Sequence, residues 1–467
     1  GTGRIMAPFV ERQYGPELYN VMVKLKNAAD PDRMLNPGTI ITDDPQLHLK
    51  DIKLSPAVQE EVDRCVECGY CEPVCPSRDL TLTPRQRIVV QRAIVQAHAD
   101  GDEELAAQLS ADEQYPVIQT CAVDGMCQTN CPLHINTGDL VRRLRAEGNP
   151  QVWQGVWDVA AKGWGPFVSA ASLGMNAVRP IPTRATNTVL DVARSIVGAD
   201  RVPLLSEELP AGGRRRSSGH RRGPAGRPEV VYLPACVNTM FGSAVPQEET
   251  LEFSVLSLLT AAGIGVTVPQ GIEAVCCGTP WKSKGMTTGY ATMRHRVVDI
   301  MQEATHGGEL TVISDAVSCS EGFVHELEYE GVTGIRVVDA VQYIADELLP
   351  VLPDLPKLHS AALHPTCSST RMSWNDALHR CAQTIADEVV VVDDWGCCGF
   401  AGDRGMLHPE LTESATAREA AQLRTREFDV YLSANRTCEI GMQRATGKPW
   451  RHVLSVLAER MVEFAPA

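Results

Sequence analysis

The sixteen cysteines of this 467-residue chain fall mostly in runs. Cys65, Cys68, Cys71 and Cys75 are separated by gaps of two, two and three residues, and Pro76 closes the run. A cubane of iron and sulfide needs soft thiolates around tetrahedral irons. A tight loop with two-residue gaps wraps three of them round one cube, while the fourth, before proline, points away to a neighbouring cube. A zinc site normally uses two separated Cys-x-x-Cys pairs instead. The second run, Cys121, Asp124, Cys127 and Cys131 before Pro132, repeats the spacing with a carboxylate in one place. The crossed arrangement gives one [4Fe–4S] cluster to Cys65, Cys68, Cys71 and Cys131. The other set is Cys75, Cys121 and Cys127, with Asp124 facing the fourth iron. Carboxylate oxygen is a harder, weaker partner for such iron than thiolate. The second centre is therefore a labile [4Fe–4S], a [3Fe–4S], or a site that has lost its cluster.

Two further constellations contain adjacent cysteines followed by glycine. Cys236, Cys276, Cys277 and Cys319 form the first, and Cys367, Cys397, Cys398 and Cys438 the second. Gly278 and Gly399 permit a tight turn, so each quartet can converge at strand ends. A further cluster, a zinc ion, a redox dithiol and reduced structural thiols all remain open for them. Cys381 stands outside the pattern, on a predicted helix, as a core residue.

The elements that must position these thiols follow from periodicity. Gly15 to Ala29 reads as a helix before the turn Asn36-Pro37-Gly38. Residues 55–64 read as a helix capped by Ser55, and residues 83–99 as a helix with Pro84 in its first turn. Another begins near Thr137. Residues 151–200 read as helical. There Trp153, Trp157 and Trp164 either pack inward or face a membrane or quinone. Residues 205–228, rich in Gly, Ser, Pro and Arg, read as a flexible linker. Beyond it, EVVYLPAC, GVTVPQ, ELTVISD, TGIRVVD, LHSAALHP, EVVVVDD and FDVYLSAN read as short strands between helices, an α/β pattern. The expected fold is α+β and multi-domain. Residues 1–45 form a tail and 50–150 a helical ferredoxin-type domain. Residues 151–228 form a connector and linker, and 229–350 and 357–467 a duplicated α/β cysteine-rich domain.

Net charge of −15, with 44% hydrophobic and 22% charged residues, describes a globular protein without nucleic acid as its partner. No secretory signal or bilayer-length apolar run is visible. Clustered thiols point to a reducing, cytoplasmic compartment, with the chain soluble or peripheral to the cytoplasmic membrane.

The second half resembles the cysteine-rich CCG domains of heterodisulfide reductase, of glycolate oxidase iron–sulfur subunits and of anaerobic glycerol-3-phosphate dehydrogenase. That pattern ends in Cys-x-x-Cys, whereas Gly322 and Gly441 occupy the last position here, so the fifth ligand is missing in both copies. Residues 1–38, with their Asp-Pro and Leu-Asn-Pro-Gly signature, are similar to the tail of an FAD-linked oxidase C-terminal domain. CAVDGMCQTNCPLHINTGDL, with Asp124, is similar to fused flavin and iron–sulfur D-lactate dehydrogenases. The resemblance implies an FAD-binding domain or subunit before residue 1, and a chain that is a fragment, inactive alone towards 2-hydroxy acids. It implies electron relay from flavin to a quinone or another acceptor. The alternatives are a non-catalytic zinc or thiol module, and a subunit of a heterodisulfide reductase-like or glycerol-3-phosphate dehydrogenase-like complex. No catalytic residue and no nucleotide-binding motif is visible.

Overall fold

The computed structural model describes residues 3–221, 223, 229–243, 245 and 248–464. Residues 1–57 and 58–467 form two compact units. In the first, helix α1 (Pro16–Ala29) starts at Gly15, whose φ of 81° suits glycine, with proline in the first turn. Asp30 ends it by accepting the amides of Met34 and Leu35 at 3.0 and 2.9 Å. No residue of α1 is buried, and Leu18, Val21 and Leu25 form an exposed stripe at helical spacing.

The second unit opens with the cysteine loops. Of residues 55–64, expected as a helix, 55–59 are irregular and 60–64 form turns, because the Asp63 carboxylate captures the amides of Val58 and Gln59 at 2.6 and 3.0 Å. A short acidic side chain competing for local backbone donors favours turns over helix. Helix α2 (Pro84–Asp100) begins in a capping box of Thr83 and Gln86. Helices α3 (Glu103–Asp112) and α4 (Thr137–Gly148) follow. Val62, Ile88, Ile135 and Leu140 make a small core beneath the loops.

Helices α5 (Gln151–Lys162), α6 (Trp164–Val178) and α7 (Thr183–Val197) come next. Their tryptophans pack inward: Trp164 is 2% exposed, and its ring lies 4.6 Å from that of buried Trp281, which Trp157 meets edge-on. The opposite faces carry exposed Val152, Val156, Val159, Val189, Val192 and Ile196.

The expected linker is anchored over its described part. Arg216 is buried and donates to the carbonyls of Pro234, Glu273 and Val275 at 2.9–3.1 Å, so an arginine counted as solvated is fixed by three backbone acceptors. Residues 219–221 form an edge strand. Residues 222 and 224–228 lie outside the described residues.

Two sheets follow. Strands β1 (Gly219–Arg221), β2 (Glu229–Leu233), β3 (Gly265–Val268), β4 (Thr311–Ser314) and β5 (Val337–Asp339) order as β1-β3-β2-β4-β5. Strands β6 (Leu358–Leu363), β7 (Ala386–Val390), β8 (Val430–Ser433) and β9 (Trp450–His452) order as β7-β6-β8-β9. Apart from antiparallel β1, all pairs are parallel. Setting β2 against β6, β3 against β7, β4 against β8 and β5 against β9 makes the strand orders identical, so the α/β unit is duplicated. The repeats are not separate bodies. One apolar core runs from Val231 and Ile313 of the first through Leu363, Cys381 and Leu432 of the second.

Candidate metal centres

The two cysteine loops share a backbone design. Glu67 and Gly69 have φ of 57° and 84° on either side of Cys68, and Val123 and Gly125 have 55° and 74° on either side of Asp124. Asp124 thus occupies the loop position that Cys68 holds in the first run. Cys71 lies within electrostatic range of Cys65 and Cys131, and burial pushes its thiol up to about 11. Cys75 is in range of Asp124 and Cys121, as is Cys127, and burial raises both thiols. The chain therefore groups Cys65, Cys71 and Cys131 apart from Cys75, Cys121, Cys127 and Asp124. Cys68 is exposed.

Taking thiolates out of water needs counter-charge, and buried arginines supply it. Arg87, 1% exposed, reaches Cys75 Sγ at 3.7 Å and Ser77 Oγ at 2.8 Å. Its guanidinium is held charged against burial by Cys121 and Cys75. Arg145 donates to the Cys121 carbonyl at 2.8 Å and to Ser283 in repeat 1 at 2.6 Å. Nothing in the spacing of the sequence distinguishes these arginines from surface ones.

Asp124 faces more than its own loop. Burial raises its carboxyl above the usual range, opposed by a hydrogen bond with Cys397 and by Arg371. Its Oδ2 is out of solvent and, among the described residues, without a hydrogen-bond partner. Arg371 reaches the Asp124 carbonyl at 3.4 Å and forms an ion pair with Glu321 of repeat 1. A Cβ on Gly125 would stand 2.6 Å from the Arg371 guanidinium, so glycine is what permits this approach. The second cysteine loop and the second quartet therefore meet at Asp124.

Both quartets converge at the carboxyl ends of parallel strands, where open α/β sheets place their sites. Cys236 and Cys367 begin the helices after β2 and β6. In repeat 1, the Sγ atoms of Cys236 and Cys276 are 3.5 Å apart and those of Cys277 and Cys319 are 3.4 Å apart. In repeat 2, Cys398 and Cys438 are 3.6 Å apart, and Cys397 hydrogen-bonds with Cys367 and Cys398. One thiol of each quartet is held well below its ordinary range by its neighbours: Cys277 by Cys276 and Cys319, Cys398 by Cys397 and Cys438. Arg216, from the segment read as linker, adds positive charge beside Cys236. At the positions of the missing fifth cysteine, Gly322 and Gly441 pack against Cys277 and Cys398. Cys381 is fully buried in the core, and burial lifts its thiol to about 12.

A polar cavity of about 440 Å³ opens beside the Cys236 end of repeat 1, with Arg214, Arg216, Glu252 and Asp315 among its walls. Its charged lining suits a small polar ligand better than a quinone ring. Soft thiols, adjacent buried cations and an orphaned carboxylate oxygen together fit iron–sulfur chemistry at the loops.

Three family models match the chain. Residues 61–135 match the 4Fe-4S dicluster domain, residues 361–443 the Cysteine-rich domain, and residues 1–40 the FAD linked oxidases, C-terminal domain. With the duplicated fold, they support an iron–sulfur subunit of the FAD-linked oxidase type. Among curated proteins, the chain is 23% identical over 417 residues to the glycolate oxidase iron-sulfur subunit of Escherichia coli (strain K12), covering 85% of this chain and 93% of that one. It is 19% identical over 425 residues to an uncharacterized iron-sulfur protein of Methanococcus maripaludis, covering 89% and 72%.

Proposed function

We propose that the chain relays single electrons from a flavin-containing domain or subunit, which oxidises a 2-hydroxy acid of the glycolate or D-lactate type, to a quinone or comparable acceptor. The observation that carries this reading is the meeting of the second cysteine loop with the second quartet at Asp124, which joins the two thiol-rich regions without a gap. Cys65, Cys68, Cys71 and Cys131 are the ligands of one cluster. Cys75, Cys121 and Cys127 hold the other, with Asp124 at its fourth position. The clusters supply one-electron steps at potentials set by charge and burial. The residues around them do the rest: Arg87 and Arg145 offset thiolate charge, α2 and α4 exclude water, and Asp124 with Arg371 sets the exit towards repeat 2.

The partner assignment is supported by the match over residues 1–40 and by the bare apolar stripe of α1, which fits docking on a flavin domain. The exposed valines and isoleucine of α5 and α7 favour peripheral attachment at the cytoplasmic membrane, where a quinone would be met. Among the described residues no helix is long and apolar enough to cross a membrane.

Anaerobic purification should give about eight irons in the two ferredoxin-type clusters, with broad visible absorption that dithionite bleaches. Stoichiometric zinc without iron would defeat the relay. An Asp124→Cys variant should alter the EPR signature of one cluster only, and an unchanged spectrum would remove Asp124 from the ligand set.

A further inference from the structure

The two repeats differ at the strand end that carries the first cysteine. Leu233-Pro234-Ala235-Cys236 in repeat 1 corresponds to His364-Pro365-Thr366-Cys367 in repeat 2. A buried leucine that ends β2 is thus replaced by a histidine directly after β6. His364 is fully buried, and its Nδ1 meets Oε1 of Glu419, itself 2% exposed, at 2.8 Å. Histidines that bind metal through one ring nitrogen commonly give the other N–H to a carboxylate, which fixes tautomer and ring orientation. That bond leaves Nε2 as the lone-pair nitrogen. Nε2 makes no hydrogen bond of ordinary geometry, and its one polar neighbour is the Cys398 thiol, with which the ring interacts. A fully buried ring nitrogen that is only loosely paired is costly unless something better fills its lone pair.

What Nε2 faces is sulfur. The ligand atoms of His364, Cys398 and Cys438 lie within 4.8 Å of one another, with the two Sγ atoms 3.6 Å apart. Ligands of one tetrahedral ion with metal–sulfur bonds of ~2.3 Å stand ~3.8 Å apart. A cubane, by contrast, gives each thiolate its own iron and spreads the sulfurs wider. The spacing suits one ion, and a mixed nitrogen and sulfur set suits a borderline-soft divalent metal.

We propose that repeat 2 holds a single divalent transition-metal ion, zinc or ferrous iron, through His364 Nε2, Cys398 and Cys438, with Glu419 as the positioning residue behind the histidine. Repeat 1, with Leu233 at the equivalent place, has no such nitrogen ligand. The inference rests on the same repeat 2 thiols that the proposed relay approaches through Asp124, but it concerns the metal there alone and is independent of the flavin partner and acceptor: ferrous iron would extend the relay into repeat 2, and zinc would end it at the second ferredoxin-type cluster.

The test uses the full chain, purified anaerobically and dialysed against EDTA. Metal analysis, X-ray absorption at the zinc edge and Mössbauer spectroscopy for isolated iron distinguish the two metals. The expected result is one mononuclear ion per chain, with a nitrogen scatterer beside sulfur. His364→Leu, which copies repeat 1, should retain at least tenfold less of that ion. His364→Cys should keep it in an all-sulfur shell. Glu419→Gln should weaken retention about tenfold, at the low end of what loss of a ligand's hydrogen-bond partner costs. In each variant the EPR signals of the ferredoxin-type clusters should persist, which shows that the protein has folded and separates this result from a failure of the relay. Absence of a mononuclear ion from the unsubstituted protein, or an unchanged metal shell in His364→Leu, would overturn the proposal.

Discussion

The two cysteine-rich repeats share strand order, the placing of four thiols at strand ends, and the glycine after the paired cysteines. Their flanking residues have diverged. Leu233 answers to His364, and Met240, four residues after the first cysteine, answers to Arg371. Asp339, at the end of β5, answers to His452 at the end of β9. Duplication has kept the scaffold that gathers sulfur and varied what stands around it. The ligand frame and the charge environment are therefore set by separate residues and can be altered separately.

The largest expected effect lies at the Asp339 and His452 pair. Both cap the helix that follows: Asp339 accepts the Val341 amide at 2.9 Å, and His452 Nδ1 accepts the Leu454 amide at 3.2 Å. Both are buried and disfavoured as charges, but in opposite directions. Burial raises Asp339 to about 7, against hydrogen bonds from Ser320 and the Val341 amide. Burial, then Arg436, lowers His452 to about 3. The raised carboxyl contributes stability that is complete below its unfolded value and is lost as pH rises through about 7. The lowered histidine contributes stability that is complete above its unfolded value and is lost as pH falls towards about 3. Between those limits the two slopes oppose each other. Asp339→Asn should gain on the unsubstituted protein by about 1.4 kcal/mol per pH unit as pH rises across its window. His452→Asn should gain similarly as pH falls. Urea midpoints across that range check both, and parallel profiles would show that the two caps do not titrate as pictured.

A smaller effect separates the glycines at the missing fifth cysteine. A Cβ at Gly322 would come within 2.9 Å of Cys277 Cβ and carbonyl oxygen, whereas at Gly441 the nearest atom is Cys398 Cβ at 3.4 Å. Gly322→Ala should cost about 1–3 kcal/mol through overpacking. Gly441→Ala should be near neutral, since alanine's helix preference offsets the tighter contact. Thermal unfolding of the two variants decides it, and equal losses would remove this asymmetry between the repeats.

Much of the scaffold was legible because periodicity and punctuation are local signals. All seven segments read as strands contain strands, although the one read from Glu388 is observed at Ala386–Val390. Thr83 and Pro84 marked the start of α2 correctly. Residues 55–64 misled because Asp63 spends its carboxylate on the backbone, which composition does not reveal. The arginine-rich segment misled for the opposite reason, since Arg216 is fixed by carbonyls about 20 to 60 residues away in sequence. The thiols announced themselves by spacing, while their buried cations did not, because an arginine's burial is decided by tertiary packing. His364 could have been found by setting the two strand ends side by side, where histidine replaces leucine before Pro-x-Cys.

The smallest expected effect concerns Arg371, which replaces Met240 of repeat 1 and links Asp124 to Glu321. The Arg371 and Glu321 pair is neutral overall, so either deletion unbalances the charge near the second cysteine loop. Arg371→Met leaves Glu321 uncompensated. The added negative potential disfavours an incoming electron, so the potential of the second cluster should fall by tens of millivolts, on the order expected for one partly buried charge acting across several ångströms. Glu321→Gln leaves Arg371 uncompensated and should raise it by a similar amount. An EPR-monitored redox titration reads both shifts. The first cluster serves as an internal control, because Cys68 stands where Asp124 does and is exposed to solvent that screens added charge. Opposite shifts confined to the second cluster would tie repeat 2 electrostatically to the Asp124 loop. Equal shifts in both clusters would mean that the charge acts through the whole field of the protein, and that Arg371, unlike Met240, has no particular hold on that loop.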